Sequence, residues 1–429
     1  MKMKKLLSIL LALCLVLGLA ACGSTDEGTV SDSPSDGGSV SDSPSDGGSV
    51  SDSPSDDGSS SSGDTLKIGL IGPMTGGLAA YGNSMREGFE LTISQINEAG
   101  GILGKQVEMV VADDQGTDTE CVNAFNSLVS QGIKIIVGAA TSGCTSAITG
   151  LANEEGVILI TPSATADSIT TEDDYVFRSC FRDSLQGDIA AAYVASMGYT
   201  KVGTIECSAD TYSMGLVASF TAACEERGIE IVAAESTATM DAQDFTNQWA
   251  AMVSAGAELV YAIYYYDAVG PFLIPQARAA GYTGAIMGAD GFDGTLDYIS
   301  EGTDLTAFNN VFWTNHYDPS DPSEATAAFV EAYEAEYGTA PMSFAALTHD
   351  CLLIVQTAIE TAGTTDDIAA VRDAMADTSV VYDGVTGTFS LDATGTPTKG
   401  GAIIEYYVDD ATGTVSQRLE TTISADELT

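Results

Sequence analysis

Side chains able to do acid–base or nucleophilic chemistry are scarce in this chain, and their spacing argues against catalysis. There are two histidines, His316 and His349. His349 precedes Asp350 at the start of an apolar helical stretch, and sequence neighbours cannot form a nucleophile–base–orienter relay. No G-x-S-x-G elbow occurs. Cys144, in Thr141-Ser-Gly-Cys-Thr-Ser146, has no nameable base to activate it. The glycine-rich Gly69-Leu-Ile-Gly72-Pro-Met-Thr-Gly76-Gly77 departs from G-x-G-x-x-G spacing, places Pro73 at the phosphate turn and is followed by no P-loop lysine. It reads as a strand-to-helix loop. Beyond the N-terminal segment the cysteines are Cys121, Cys144, Cys180, Cys207, Cys224 and Cys351, with no C-x-x-C among them. A zinc ribbon or redox motif is therefore unsupported, and no spacing calls for a metal or cofactor. Cys121 and Cys144 fall in neighbouring strand–helix units and are the first candidates for a disulfide. Six buried free thiols are the alternative.

The polar residues that remain are grouped. Pro73–Asn83, Ala139–Thr145, Pro162–Ala166, Cys207–Ser213, Tyr265–Ala268 and Ala289–Gly294 are rich in Ser, Thr, Tyr and Gly and lack Lys, Arg and His. That composition suits hydrogen bonding and stacking on a small polar molecule. Each segment follows a short apolar run of strand character, as in Leu66–Gly72, Lys134–Gly138, Val157–Ile160, Lys201–Glu206, Leu259–Tyr265 and Gly284–Ala289. Further runs are Val107–Val111, Glu230–Ala234 and Asn310–Thr314, and helical patterns separate most of them. Such alternation predicts an α/β fold of doubly wound parallel sheets, and the units are numerous enough for two lobes. Open parallel sheets bind ligands beyond the C-terminal ends of their strands, where the polar segments lie.

The whole chain sets the outer bounds. It has 429 residues, 45% of them hydrophobic, enough for two cores. Its formal charge of −46 repels phosphate backbones, so no nucleic-acid partner is expected. Residues 1–21 have a basic start, an apolar run and small residues, the layout of a secretory signal. Leu19-Ala-Ala-Cys22 resembles a bacterial lipobox, which implies that a lipidated Cys22 holds the exported chain on the outer face of the cell membrane. Residues 22–64 carry a Ser/Asp/Gly/Pro repeat of ten residues with no apolar face, expected to be a disordered tether.

From residue 65 to about 425 the chain resembles the leucine/isoleucine/valine-binding proteins, extracytoplasmic solute-binding components of ABC importers. The resemblance rests on Ile68-Gly-Leu-Ile-Gly-Pro-Met-Thr-Gly76, Ala80-Tyr-Gly82, Ile96-Asn-Glu-Ala-Gly-Gly-Ile-Leu-Gly104, Asp113-Asp114, Ile136-Val-Gly138, Thr161-Pro-Ser-Ala-Thr165, Tyr212-Ser-Met-Gly215 and Gln276-Ala-Arg278, in that order. It implies two lobes joined by a three-strand hinge, with the ligand cleft between them. Lobe 1 would be 65–183 plus 316–391, and lobe 2 184–315 plus 392–429. It further implies that Ser142 and Thr165, with Ser163 and Ala164 beside them, bind an α-carboxylate. Asp290 matches the acid that pairs with the ligand ammonium, where many members have glutamate. Tyr81, Tyr212, Tyr265 and Phe344 would wall the pocket, with Tyr264 and Tyr266 flanking the third. The family disulfide lies a few residues before the cysteines here. The expectation is a monomeric, non-enzymatic binder of an α-amino acid, apolar or branched, that serves a permease and ATPase. A sensor of the same fold, a binder of an amide, urea or aromatic acid, and least of all an anchored hydrolase are the alternatives.

Overall fold

The computed structural model describes residues 65–172 and 174–428. The segment expected to be an export signal, Cys22 and the repeats lie outside the described residues. The nine apolar runs all form strands. In the first sheet, β1 (Leu66–Gly72), β2 (Val107–Asp113), β3 (Ile135–Val137), β4 (Ile158–Thr161) and β5 (Val176–Arg178) are parallel, in the order β2-β1-β3-β4-β5. Helices α1 (Ala79–Glu98), α2 (Asp118–Ser130) and α3 (Ser142–Glu155) connect them. After α4 (Asp183–Ser196) the pattern restarts. β6 (Lys201–Cys207), β7 (Glu230–Thr237), β8 (Leu259–Ala262), β9 (Ala285–Gly288) and β10 (Val311–Asn315) repeat the same order as β7-β6-β8-β9-β10. Their connectors are α5 (Thr211–Glu226), α6 (Thr246–Ala255), α7 (Tyr266–Ala268) and α8 (Ile274–Ala279). Helices α9 (Glu324–Tyr337), α10 (Ser343–Ala362) and α11 (Ile368–Met375) follow, then the hairpin β11 (Tyr382–Gly384) and β12 (Gly387–Phe389).

The second sheet departs from the all-parallel expectation at one edge. β13 (Gly401–Val408) pairs antiparallel with β10, and β14 (Val415–Ile423) pairs antiparallel with β13. β14 is mostly half-buried or exposed. An antiparallel edge of this kind needs cover on only one face.

The central strands of both sheets are buried on both faces. Every residue of β3, β4, β8, β9 and β10 is buried. Three crossings link the lobes, and the first and third are tied to one another. Arg178 N–H donates to Gly395 O at 3.1 Å, Arg182 pairs with Asp392 at 2.5 Å, and Lys399 Nζ donates to Ser179 O at 2.7 Å. In each sheet the winding reverses beside its first strand, between β1 and β3 and between β6 and β8, so each lobe presents a switch-point crevice.

Candidate functional site

The lobe 1 wall is built by the loops after β3 and β4. Gly138 has φ +136°, and a Cβ there would overlap Ile71 O, so only glycine makes the turn into Ala139–Thr141. Thr141 caps α3, accepting from Cys144 N–H, and Ser142 begins the helix. Ser142 Oγ accepts from Ala166 N–H at 3.2 Å, which ties the two loops together. Ser163 Oγ donates to Ala140 O at 2.7 Å, and Ala164 N–H donates to Thr161 Oγ1 at 3.0 Å.

A buried arginine shapes the second loop from behind. Arg178 Nη1 donates to Ala164 O and Thr165 O at 3.2 and 2.9 Å; Nη2 donates to Ala166 O at 3.0 Å and Thr170 Oγ1 at 3.1 Å. Three successive carbonyls are thus fixed by one side chain. Asp183 N–H donates to Thr165 O at 2.9 Å, bringing the start of α4 against the same loop.

Lobe 2 contributes aromatic residues and acids. Tyr265 stacks on Tyr212 at 5.4 Å and meets Tyr81 edge-on at 5.9 Å, while Tyr81 stacks on Phe344 at 4.0 Å. The register of the tyrosine triplet is therefore fixed. Tyr264 turns into lobe 2, donating to Glu206 O, and Tyr266 donates to Gly77 O. The lobes touch directly. Tyr81 Oη donates to Gly291 O at 2.7 Å, and Asp293 accepts from Ser343 N–H and Oγ–H, each at 2.7 Å. A cavity of about 430 Å³, lined by Leu78, Thr141, Asp210, Met240, Tyr265 and Asp267 among others, opens at the edge of this junction.

Asp290 and Asp183 are bonded very differently. Asp290 Oδ1 accepts from Gln186 Nε2 at 2.9 Å and Tyr212 Oη at 3.0 Å, and Oδ2 lies 3.5 Å from His316 Nε2. Asp183 is 1% exposed, and neither carboxylate oxygen has a hydrogen-bond partner. Burial pushes its pKa well above the usual carboxylate range, opposed in part by the nearby Thr165 hydroxyl. A Cβ at Gly215 would overlap Asp183 Oδ2, so glycine at that position on α5 lets the carboxylate sit between the lobes. Thr165 Oγ1, Gln186 Oε1 and Tyr265 Oη are likewise buried without partners. Each lobe thus contributes unanswered polar atoms at the junction.

Of the nine residues expected at the pocket, Ser142, Ser163, Ala164 and Thr165 lie in these loops, Tyr81, Tyr212, Tyr265 and Phe344 form the aromatic wall, and Asp290 follows β9; only Tyr265 of the nine lines the cavity. Sequence reasoning missed Asp183, Gln186, His316 and Arg178. The first two follow directly on a crossing at i, i+3 spacing, a signal open to a reader looking for polar residues at the hinge. His316 is fully buried behind Asp290 and against Phe181, where burial lowers its pKa. Asp210 caps α5, accepting from Ser213 N–H at 2.8 Å. Cys121 and Cys144, the candidate disulfide, lie side by side as free thiols, with Cys121 Sγ–H donating to Cys144 O at 3.2 Å.

Known proteins with this pattern agree in family and shape. The family model described as "Periplasmic binding protein" matches residues 65–411. The Leu/Ile/Val-binding protein homolog 3 of Brucella melitensis is 34% identical over 332 residues, covering 77% of this chain and 88% of its own length. Among solved structures, a leucine-binding protein from Thermotoga maritima is 28% identical with TM-score 0.76, covering 85% of this chain and all of its own. A branched-chain amino acid transporter substrate-binding protein from Streptococcus pneumoniae, in complex with isoleucine, is 32% identical with TM-score 0.75, covering 84% and 99%.

Proposed function

We propose, from the premise that this chain belongs to the periplasmic binding protein family, that it captures an apolar α-amino acid between its lobes and delivers it to an ABC importer. The observation that carries this reading is the set of unpartnered polar atoms at the lobe junction. Buried polar groups are satisfied in the great majority of cases, and here Asp183 has only the Thr165 hydroxyl beside it while Gln186 Oε1 and Tyr265 Oη have no partner, a set with room for a further donor. A ligand ammonium supplies one. Asp183 and Thr165 take it, with Asp290 adding its charge from lobe 2. The α-carboxylate sits by Ser142 and the Ser163–Thr165 loop, near the N-terminus of α3, whose dipole favours an anion. The aromatic residues Tyr81, Tyr212, Tyr265 and Phe344 enclose the side chain. Relatives named for leucine, isoleucine and valine support a branched side chain.

The lobes exchange chain after 183, 315 and 391, and ligand closes them by hinge motion. The chain is an exported monomer, held at the membrane by lipid on Cys22, that docks on a permease with its ATPase and turns nothing over. No helix among the described residues is long and apolar enough to cross a membrane. The test is a thermal-shift panel of amino acids, amides and aromatic acids on the full chain. A ligand at 100 times its Kd adds about 2.7 kcal/mol, so a branched-chain amino acid should raise Tm by several degrees. A shift with aromatic acids or amides alone would overturn the reading. Cys22→Ser should release the protein from membranes; wild type found soluble with an unmodified N-terminus would remove the anchor.

A further inference from the structure

Behind the loop that carries Ser142, three potential metal ligands converge. Asp114 follows the end of β2, Cys121 lies in the first turns of α2 and Cys144 in the first turn of α3. All three are buried, and one carboxylate oxygen of Asp114 and the two sulfurs lie within 4.8 Å of one another. Asp114 is fully buried; Oδ1 accepts from Gly116 N–H at 2.8 Å, while Oδ2 has no partner.

We propose that Asp114, Cys121 and Cys144 form a binding site for a thiophilic divalent cation, zinc being the biological candidate. Two thiolates and a carboxylate are a soft, anionic donor set of the kind that selects zinc over magnesium or calcium. A tetrahedral zinc with sulfur ligands needs them roughly 3.8 Å apart. A disulfide needs its sulfurs at about 2.05 Å and leaves the Asp114 carboxylate with no cationic partner. The third ligand therefore favours the ion over the disulfide. Binding exchanges two thiol protons for the cation with no change of oxidation state. The negative charge left over faces the N-termini of α2 and α3, whose dipoles favour it. In the metal-free chain the neighbouring Cys144 side chain and burial hold the Cys121 thiol protonated, and burial lifts Asp114 to about 6.

The three ligands are buried, and the nearest opening is the cavity at the cleft edge. The cavity at the cleft edge is also lined by Gln115, Gly116, Thr117, Asp118 and Gly143, which border the three ligands in sequence. Asp118 supplies an outer carboxylate there; a Cβ on Gly143 would lie 3.1 Å from its Oδ1. Three protein ligands leave a fourth position for water. The bound ion would staple α2 to the base of α3, whichever solute the cleft takes.

The test uses the full chain, reduced and freed of metal by a chelator, titrated with Co²⁺. The expected result is a sulfur-to-cobalt absorption band that saturates at one ion per chain and is displaced by Zn²⁺. Zn²⁺ should also raise Tm. Cys121→Ser and Cys144→Ser should abolish the band, Asp114→Asn should weaken binding roughly 10- to 100-fold, and Cys224→Ser should change nothing. If a serine variant does not fold, Asp114→Asn, which keeps both sulfurs, decides. No band from the reduced wild-type chain, or an unchanged titration in Asp114→Asn, would overturn the site. So would recovery of a Cys121–Cys144 disulfide from the chain as first isolated.

Discussion

At the lobe crossings Lys399 is buried, yet its ammonium donates to Ser179 O and Thr386 Oγ1, and that hydroxyl donates in turn to Asp350 Oδ2. Asp350 also accepts from the N–H groups of Val385 and Thr386. Four residues beyond Ser179, Asp183 is buried to the same degree, with no charged partner and only the Thr165 hydroxyl nearby. The two regions have similar burial and opposite satisfaction. Charge at the crossings is answered within the chain and holds the lobes together. In the cleft, Asp290 is answered by Gln186 and Tyr212, while Asp183 has no charged partner. An orphaned buried group is costly, and on the proposed function its persistence next to a fully answered one is what a ligand would relieve.

Breaking the answered side should have the largest effect on the fold. Asp350→Asn leaves Lys399 without its countercharge and should cost about 3–5 kcal/mol in denaturant unfolding. Ligand affinity of the molecules that remain folded should not change. The unanswered side should respond with the opposite sign. Asp183→Asn removes a buried carboxylate that nothing neutralises, and the ligand-free chain should gain about 1–3 kcal/mol at neutral pH. Stability lost at both sites would erase the distinction.

The pH dependence of stability separates the same two groups. Asp183 has a raised pKa in the folded chain, chiefly through burial, so it binds protons more tightly folded than unfolded. Its contribution falls as pH rises from the ordinary carboxylate value through the raised one. Asp350 is held below the ordinary range: burial pushes it up, but His349, Lys399 and Thr386 together outweigh that. Its contribution is present above the ordinary value and is lost as pH falls through the lowered one. Unfolding measured from pH 3 to 8 should lose the first slope in Asp183→Asn and the second in Asp350→Asn. The smallest effects belong to the neutral orphans. Tyr265→Phe removes a hydroxyl with no partner in the chain and should cost about 0.5–1.5 kcal/mol or 2- to 10-fold in Kd, with little change in ligand-free stability; Thr165→Val also removes the hydroxyl beside Asp183 and should push that group's pKa further up.

The same contrast explains what could be read from the residues alone. Apolar runs such as Ile135–Val137 and Ile158–Thr161 announce buried parallel strands because both faces are covered. The polar loops after them mark the site, since ligand contacts gather at strand ends. β5 ends on an arginine, Val176-Phe-Arg178, and β14 is a largely exposed edge, so neither leaves an apolar signature. The aromatic wall was legible as isolated tyrosines, but the choice of Tyr265 over its neighbours depends on packing. Asp183 was hidden by position. An acid in the first turn of a helix is ordinarily explained by the dipole, and only three-dimensional packing shows that its carboxylate is buried against α5. Arg178 is one of 15 basic residues in the chain, and nothing local reveals that it braces three carbonyls.

Calorimetry with isoleucine on wild type, Asp183→Asn and Asp290→Asn tests the account most directly. Truncating one partner of a buried charge pair costs about 2–5 kcal/mol, or roughly 30- to 5,000-fold in Kd. Asp183→Asn should lose that much. Asp290→Asn should lose less, because Gln186 and Tyr212 already occupy its Oδ1. Wild-type affinity in Asp183→Asn would contradict the claim that the empty polar atoms of the cleft are the seat of a ligand ammonium.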